Sequence, residues 1–227
     1  MPRCTFAMAV LEPIGRLALL SAALASPVVT GGAVAQTLPF QITEVATLAN
    51  PWGMVFLPDG RAIVTQKSGD MRILRPNGQL SAPMSGVPPV VFEGNLGLLD
   101  VVVARSFPSS GRLFFTYMER TSGNLSRLVL AEARVVNEAL TNVTTRWVST
   151  PATTGGHPGG RIVLTPDVSL YVTTGDRQQF TPAQDRAQAW GKVIRVDRMG
   201  APRPDNPFIS TPGTNPAIWS LGHRNPY

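Results

Sequence analysis

Short apolar runs separated by Pro-Asp and Gly-containing turns recur along the chain. Val55-Phe56-Leu57-Pro58-Asp59-Gly60-Arg61-Ala62-Ile63-Val64-Thr65 is echoed by Val163-Leu164-Thr165-Pro166-Asp167-Val168-Ser169-Leu170-Tyr171-Val172-Thr173, in register when Pro58 is set on Pro166. Between them Val101-Val102-Val103 leads through Phe107-Pro108 and Ser110-Gly111 into Leu113-Phe114-Phe115-Thr116, a looser third copy. Each copy predicts two strands joined by a tight turn, because β-branched and aromatic residues fill the runs and Pro, Asp and Gly fill the gaps. A further strand-like segment follows each copy: Met71 to Arg75, Leu125 to Val135 and Lys192 to Asp197. Three such repeats, roughly 50 residues apart, predict an all-β chain of propeller blades, each a small antiparallel sheet. In a propeller the loops before the inner strands gather at one mouth, where a site forms naturally.

Within this frame Asp59 and Asp167 read as turn residues. Trp52, Trp147, Trp190 and Trp219 read as packing between blades, and Arg161 as one half of a blade-to-blade ion pair. Asp100 reads as an acceptor for backbone donors, and His223 as a locally bonded side chain.

The first 35 residues follow a different plan. Arg3 and Arg16 precede an apolar stretch from Leu17 to Ala25, and Ala33-Val34-Ala35 closes the segment. That is the layout of an export signal with cleavage after Ala35, and the stretch is far short of the ~20 apolar residues of a membrane span. The expectation is a periplasmic or secreted protein without a membrane span, its domain running over residues 36–227. Cys4, the only cysteine, lies in the segment expected to be removed. Residues 36–227 keep 18 basic against 13 acidic side chains, dispersed rather than striped. That pattern argues against nucleic acid and leaves a mild attraction for small anions.

Candidate chemistry concentrates in Gly156 to Asp176, GHPGGRIVLTPDVSLYVTTGD. An up-and-down hairpin returns both its ends to one sheet edge, so His157 and Asp176 are expected to meet, and a carboxylate-oriented histidine is a candidate proton acceptor. Near the C-terminus Arg224 and Asn225 precede Pro226. The proline holds them extended, presenting a planar cation and an amide to one ligand, with carboxylate or quinone oxygens suiting both. Asn95, in the glycine-loosened entry Glu93-Gly94-Asn95-Leu96-Gly97, is placed to point at the same mouth.

In order and spacing, a set of motifs resembles the soluble PQQ-dependent sugar dehydrogenases, the glucose/sorbosone dehydrogenase family. They are Asn50-Pro51-Trp52-Gly53, Gly97-Leu98-Leu99-Asp100-Val101, Gly156-His157 with Gly160-Arg161, Tyr171 to Arg177, Ala183-Gln184-Asp185, Gly191 to Arg195, and Ile218 to Pro226. The resemblance implies a six-bladed quinoprotein glucose dehydrogenase-type propeller, of which this chain carries about three blades, the N-terminal half. It implies pyrroloquinoline quinone (PQQ) over the central channel, calcium nearby, and oxidation of an aldose at its anomeric carbon to a lactone, with electrons passing to an acceptor not named by the sequence. Carried across, His157 is the base and Asp176 its orienting partner. Arg224 and Asn225 contact the quinone oxygens, Arg224 stabilising the negative charge there, and Asn95 is a substrate contact where the family usually has glutamine. The family's His-Pro-Asp-Phe is here Ala104-Arg105-Ser106-Phe107. The calcium ligands are expected in the half of the family domain that follows Arg-Asn-Pro. A half-ring is expected to be poorly stable or aggregating alone, through exposed sheet edges and inter-blade apolar surface. Two other readings stay open: a calcium-dependent lactonase propeller drawing on Asp100, Asp176 and Asn225, and a non-catalytic binding propeller.

Overall fold

The computed structural model describes residues 4–10 and 41–227. Strand β1 (Cys4–Val10) pairs antiparallel with β2 (Gln41–Leu48). The apolar stretch Leu17 to Ala25 and the Ala33-Val34-Ala35 site expected for cleavage lie outside the described residues. No helix among the described residues is long and apolar enough to cross a membrane.

Three antiparallel sheets follow, each with its strands in chain order. The first holds β3 (Pro51–Phe56), β4 (Ala62–Gln66) and β5 (Met71–Leu74). The second holds β6 (Leu98–Val103), β7 (Arg112–Arg120), β8 (Ser126–Val136) and β9 (Ala139–Val148). The third holds β10 (Gly159–Leu164), β11 (Leu170–Thr174), β12 (Lys192–Val196) and β13 (Ile218–Leu221). The three sequence repeats are the first two strands of these sheets, and the all-β, partial-propeller expectation holds. Asp167 serves its turn as expected: its carboxylate accepts from the Ser169 hydroxyl at 2.8 Å and from Thr165, which holds it well below the usual carboxylate range.

Side chains alternate across each strand, so each sheet has two faces to bury. In the second sheet Leu113, Phe115 and Tyr117 of β7 and Val129 and Ala131 of β8 pack with Ile63, Met71 and Ile73 of the first sheet. Their neighbours Phe114, Met118, Leu128 and Leu130 point the other way, against Ile162, Leu170, Val172, Ile194 and Ile218 of the third. The second blade is therefore apolar on both faces, and burying one large side chain of this kind stabilises by about 1.5–3 kcal/mol.

A repeated polar contact fixes blade to blade. Each inner strand is irregular near its start, with register shifts at Pro51/Met54, Leu98/Val101 and Gly159/Ile162. A bulge turns one N–H out of the ladder, and a threonine of the next strand receives it. Gly53 N–H donates to Thr65 Oγ1 at 2.8 Å, Asp100 N–H to Thr116 at 3.1 Å and Arg161 N–H to Thr173 at 2.9 Å. The same hydroxyls donate onward to the following blade: Thr65 to Leu99 O at 2.5 Å, Thr116 to Gly160 O at 2.5 Å and Thr173 to Pro226 O at 2.9 Å. Pro226 thus takes the place that Leu99 and Gly160 hold in the inner strands before it.

Trp190 is fully buried between the second and third blades, and Trp52 and Trp147 pack against the same core. Trp219 follows Ile218, which faces this core, so strand alternation turns it to the third blade's other face, where it meets Tyr171 of its own blade edge-on at 5.5 Å between centroids.

Candidate functional site

Gly159 and Thr174 are partners at the open end of the β10–β11 hairpin, which sets the flanking His157 and Asp176 side by side. His157 Nδ1 lies 2.7 Å from Asp176 Oδ1. The carboxylate is 2 % exposed and the imidazole 13 %. Asp176 Oδ1 also accepts the Gln178 N–H at 2.9 Å, and the Asp176 N–H donates to Arg224 O at 2.7 Å. The carboxylate is thereby fixed before any ligand arrives. With Nδ1 facing an ionised carboxylate, the neutral imidazole carries its proton on Nδ1 and leaves the Nε2 lone pair outward.

Close backbone approach makes this meeting possible. A Cβ on Gly175 would stand 2.1 Å from His157 O, so no other residue fits between the histidine and the Arg224 carbonyl. His157 itself sits at a φ of 51°, a left-handed conformation costing about 1–2 kcal/mol in a non-glycine residue. Surrounding bonds hold it there. The His157 N–H donates to Asn95 Oδ1 at 3.2 Å, and the Gly156 N–H to Gln178 Oε1 at 2.9 Å.

Arg224 and Asn225 lie next to the pair. Asn225 Oδ1 accepts the Gly159 N–H at 3.1 Å, and its Nδ2 has no protein partner among the described residues. The Arg224 guanidinium is exposed and likewise makes no ion pair among them. His157 Nε2 and Asn225 Nδ2 are thus left for a ligand, and the exposed Arg224 guanidinium belongs to the residue whose carbonyl accepts the Asp176 N–H. An electron-rich ligand with several anionic oxygens, such as a quinone carrying carboxylates, fits this donor set.

Asn95 reaches the mouth but is already engaged. Its Oδ1 holds His157, and its Nδ2 donates to Tyr227 Oη at 3.0 Å, while the Tyr227 ring packs edge-on to Trp52 at 4.8 Å. The Asp100 carboxylate is likewise saturated by Arg161 Nη1 at 3.1 Å and the Ile162 N–H at 2.9 Å, the blade-to-blade pair expected of Arg161. Asp100, Asp176 and Asn225 therefore serve three separate sets of partners. His223 bonds locally, Nε2 to Ser220 Oγ at 2.8 Å.

Two buried cations below the site carried no signal in the sequence pattern beyond their place in the motifs. Arg177 projects from the residue after Asp176 back into the second blade, where Nη2 donates to Ser126 Oγ at 2.9 Å and the guanidinium lies 4.9 Å from the Trp190 ring. Burial pushes it down to about 10. The Lys192 ammonium donates to Pro182 O and Trp190 O at 2.6 Å and to Ala183 O at 3.1 Å, pinning the loop that follows Asp176. Burial lowers its pKa to about 8, against the opposing pull of the Asp185 carboxylate. Gln178 and Tyr227 were also outside the sequence reading.

A family model for glucose/sorbosone dehydrogenases matches residues 48–227. The aldose sugar dehydrogenase YliI of Escherichia coli (strain K12) is 36% identical over 183 residues, a span covering 79% of this chain and 49% of that protein. The crystal structure of the soluble E. coli aldose sugar dehydrogenase in its apo form superposes with a TM-score of 0.75 at 35% identity, covering 78% of this chain and 52% of that one. The PQQ-bound aldose sugar dehydrogenase of Streptomyces coelicolor does so with a TM-score of 0.65 at 30% identity, again over 78% of this chain and 52% of the other. The chain spans about half the length of the curated relatives it matches.

Proposed function

The chain belongs to the glucose/sorbosone dehydrogenase family, and from that premise we propose that it contributes the proton-accepting half of a PQQ-dependent dehydrogenase oxidising an aldose at its anomeric carbon to the lactone. The single observation that carries the reading is the His157–Asp176 contact at the mouth of the inner strands, beside the Asn225 amide.

In this reading His157 Nε2 takes the proton of the anomeric hydroxyl. Asp176 keeps the imidazole in the required tautomer and balances the imidazolium that forms, a contribution typically of 10²–10⁴-fold. Arg224 and Asn225 Nδ2 hold the cofactor's oxygens, with the guanidinium countering negative charge that develops there. When bound, PQQ supplies the acceptor for the hydride that leaves the anomeric carbon. The buried Asp176 and the backbone bonds around it let these groups act without rearrangement. Asn95 acts as a strut for His157.

Calcium enters the proposal with its ligands expected in the part of the family domain that follows Arg224-Asn225-Pro226. We place the protein outside the cytoplasm on the strength of Arg3, Arg16, the apolar stretch to Ala25 and Ala33-Val34-Ala35. The test is dye-coupled oxidation of D-glucose and other aldoses by protein reconstituted with PQQ and calcium. Sugar-dependent dye reduction with lactone formation is expected. Hydrolysis of gluconolactone without quinone, or no dye reduction with any aldose, contradicts the reading.

A further inference from the structure

Strand β10 runs from the His157 mouth to a second concavity at its far end, roughly 20 Å away at ~3.3 Å per residue. Here Ala104 and Ser106, beyond β6, face Leu164 and Val168, on either side of the third blade's first turn. The cavity between them is about 310 Å³ and is lined also by Phe114 and by three arginines, Arg105, Arg112 and Arg198. No carboxylate among the described residues lines it.

The charge there is unbalanced. Arg105 and Arg198 have no carboxylate partner among the described residues. Arg112 shares Glu132 with Arg146, at 3.1 and 2.8 Å, so two guanidinium groups face one carboxylate. The Arg112 Nε is buried, and although Glu132 lies within ion-pair distance it is not aligned as a hydrogen-bond acceptor for it. The acids nearest in sequence are occupied elsewhere. Asp167 takes Thr165, Ser169, Arg195 and Arg203, and Asp197 Oδ1 takes the N–H groups of Met199 and Ala201. The rest of the wall combines the Ser106 and Thr165 side chains with Ala104, Leu164 and Val168, the Phe114 ring lying wholly buried beneath.

We propose that this cavity is a binding site for a small organic anion, an apolar body bearing a phosphate or carboxylate. The body lies against Leu164 and Val168, and its acidic oxygens lie between Arg105 and Arg198. Its volume is at the lower end of the range for small-molecule sites, and guanidinium groups match such oxygens in pairs. Separation by the length of an inner strand makes it independent of sugar oxidation.

Titration calorimetry of the full-length protein with phenyl phosphate, benzoate, inorganic phosphate and phenol tests this. Phenyl phosphate or benzoate is expected to bind at least tenfold more tightly than both inorganic phosphate and phenol. Arg105→Ala and Arg198→Ala should each weaken that binding about tenfold, the loss of one charge-assisted contact, while His157→Ala leaves it intact. Both arginines sit at the surface, so the variants retain the parent's melting temperature. Absence of binding by both organic anions, equal affinity for inorganic phosphate, or undiminished binding in the Arg105→Ala/Arg198→Ala double variant overturns the proposal.

Discussion

At the scale of single residues, the site depends on how few ways His157 can be held. Its left-handed backbone is fixed by one side-chain acceptor, Asn95 Oδ1, and its ring by one carboxylate. Asn95→Ala removes the acceptor and frees Tyr227 Oη. Turnover is expected to fall about tenfold with KM for the sugar little changed, since geometry, not binding, is lost. Steady-state kinetics decide it: a rise in KM alone returns Asn95 to the role of substrate contact. Lys192 offers a different test. Burial lowers its pKa to about 8, below its value in the unfolded chain. Between about pH 8 and 10.4 the unfolded chain binds a proton that the folded one has released, so this group's contribution to stability rises with pH and levels off above that window. Lys192→Met strands three carbonyls and is expected to cost about 2–4 kcal/mol at pH 7. Urea melts should show the parent's advantage over the variant growing from pH 7.5 to 9.5; a shrinking advantage contradicts the assignment.

At the scale of elements, the threonine near the end of each repeat is what turns separate sheets into neighbouring blades. Thr116→Val keeps the shape but leaves the Asp100 N–H and the Gly160 carbonyl without a partner at a dry inter-blade contact. A loss of about 1–3 kcal/mol is expected by chemical denaturation, and a neutral result contradicts the role. Much of this level was legible in the chain. The Pro58/Pro166 register sets Thr65 and Thr173 at equivalent positions, and hairpin logic sets His157 beside Asp176. What the threonines bond was not legible, because a bulge displaces one N–H without altering the alternation of the strand. Strand β9 escaped notice because its run of Thr and Asn is largely exposed and carries little apolar signal. The bond from the His157 N–H to Asn95 was not legible, because sequence gives a side chain's place along the strand and not its partner across the blade boundary. The face that Trp219 takes follows only from its alternation with Ile218.

At the scale of the whole molecule, the three blades hold the base loop, its carboxylate and the Arg-Asn pair at one end of the inner strands and a cationic cavity at the other. The third blade's second face carries Val163, Tyr171, Arg195 and Trp219, with Arg195 between the two rings at 5.5 and 5.0 Å. Val163 is 58% exposed and Trp219 40%, a surface of the kind the second blade buries on both sides. The arrangement gains its meaning only if the histidine takes the proton. The direct measurement is the turnover of D-glucose by PQQ- and calcium-loaded protein beside a His157→Ala variant of matched melting temperature. A fall of about 10²–10⁴-fold in kcat is predicted, and a variant that oxidises the sugar as fast as its parent contradicts the account.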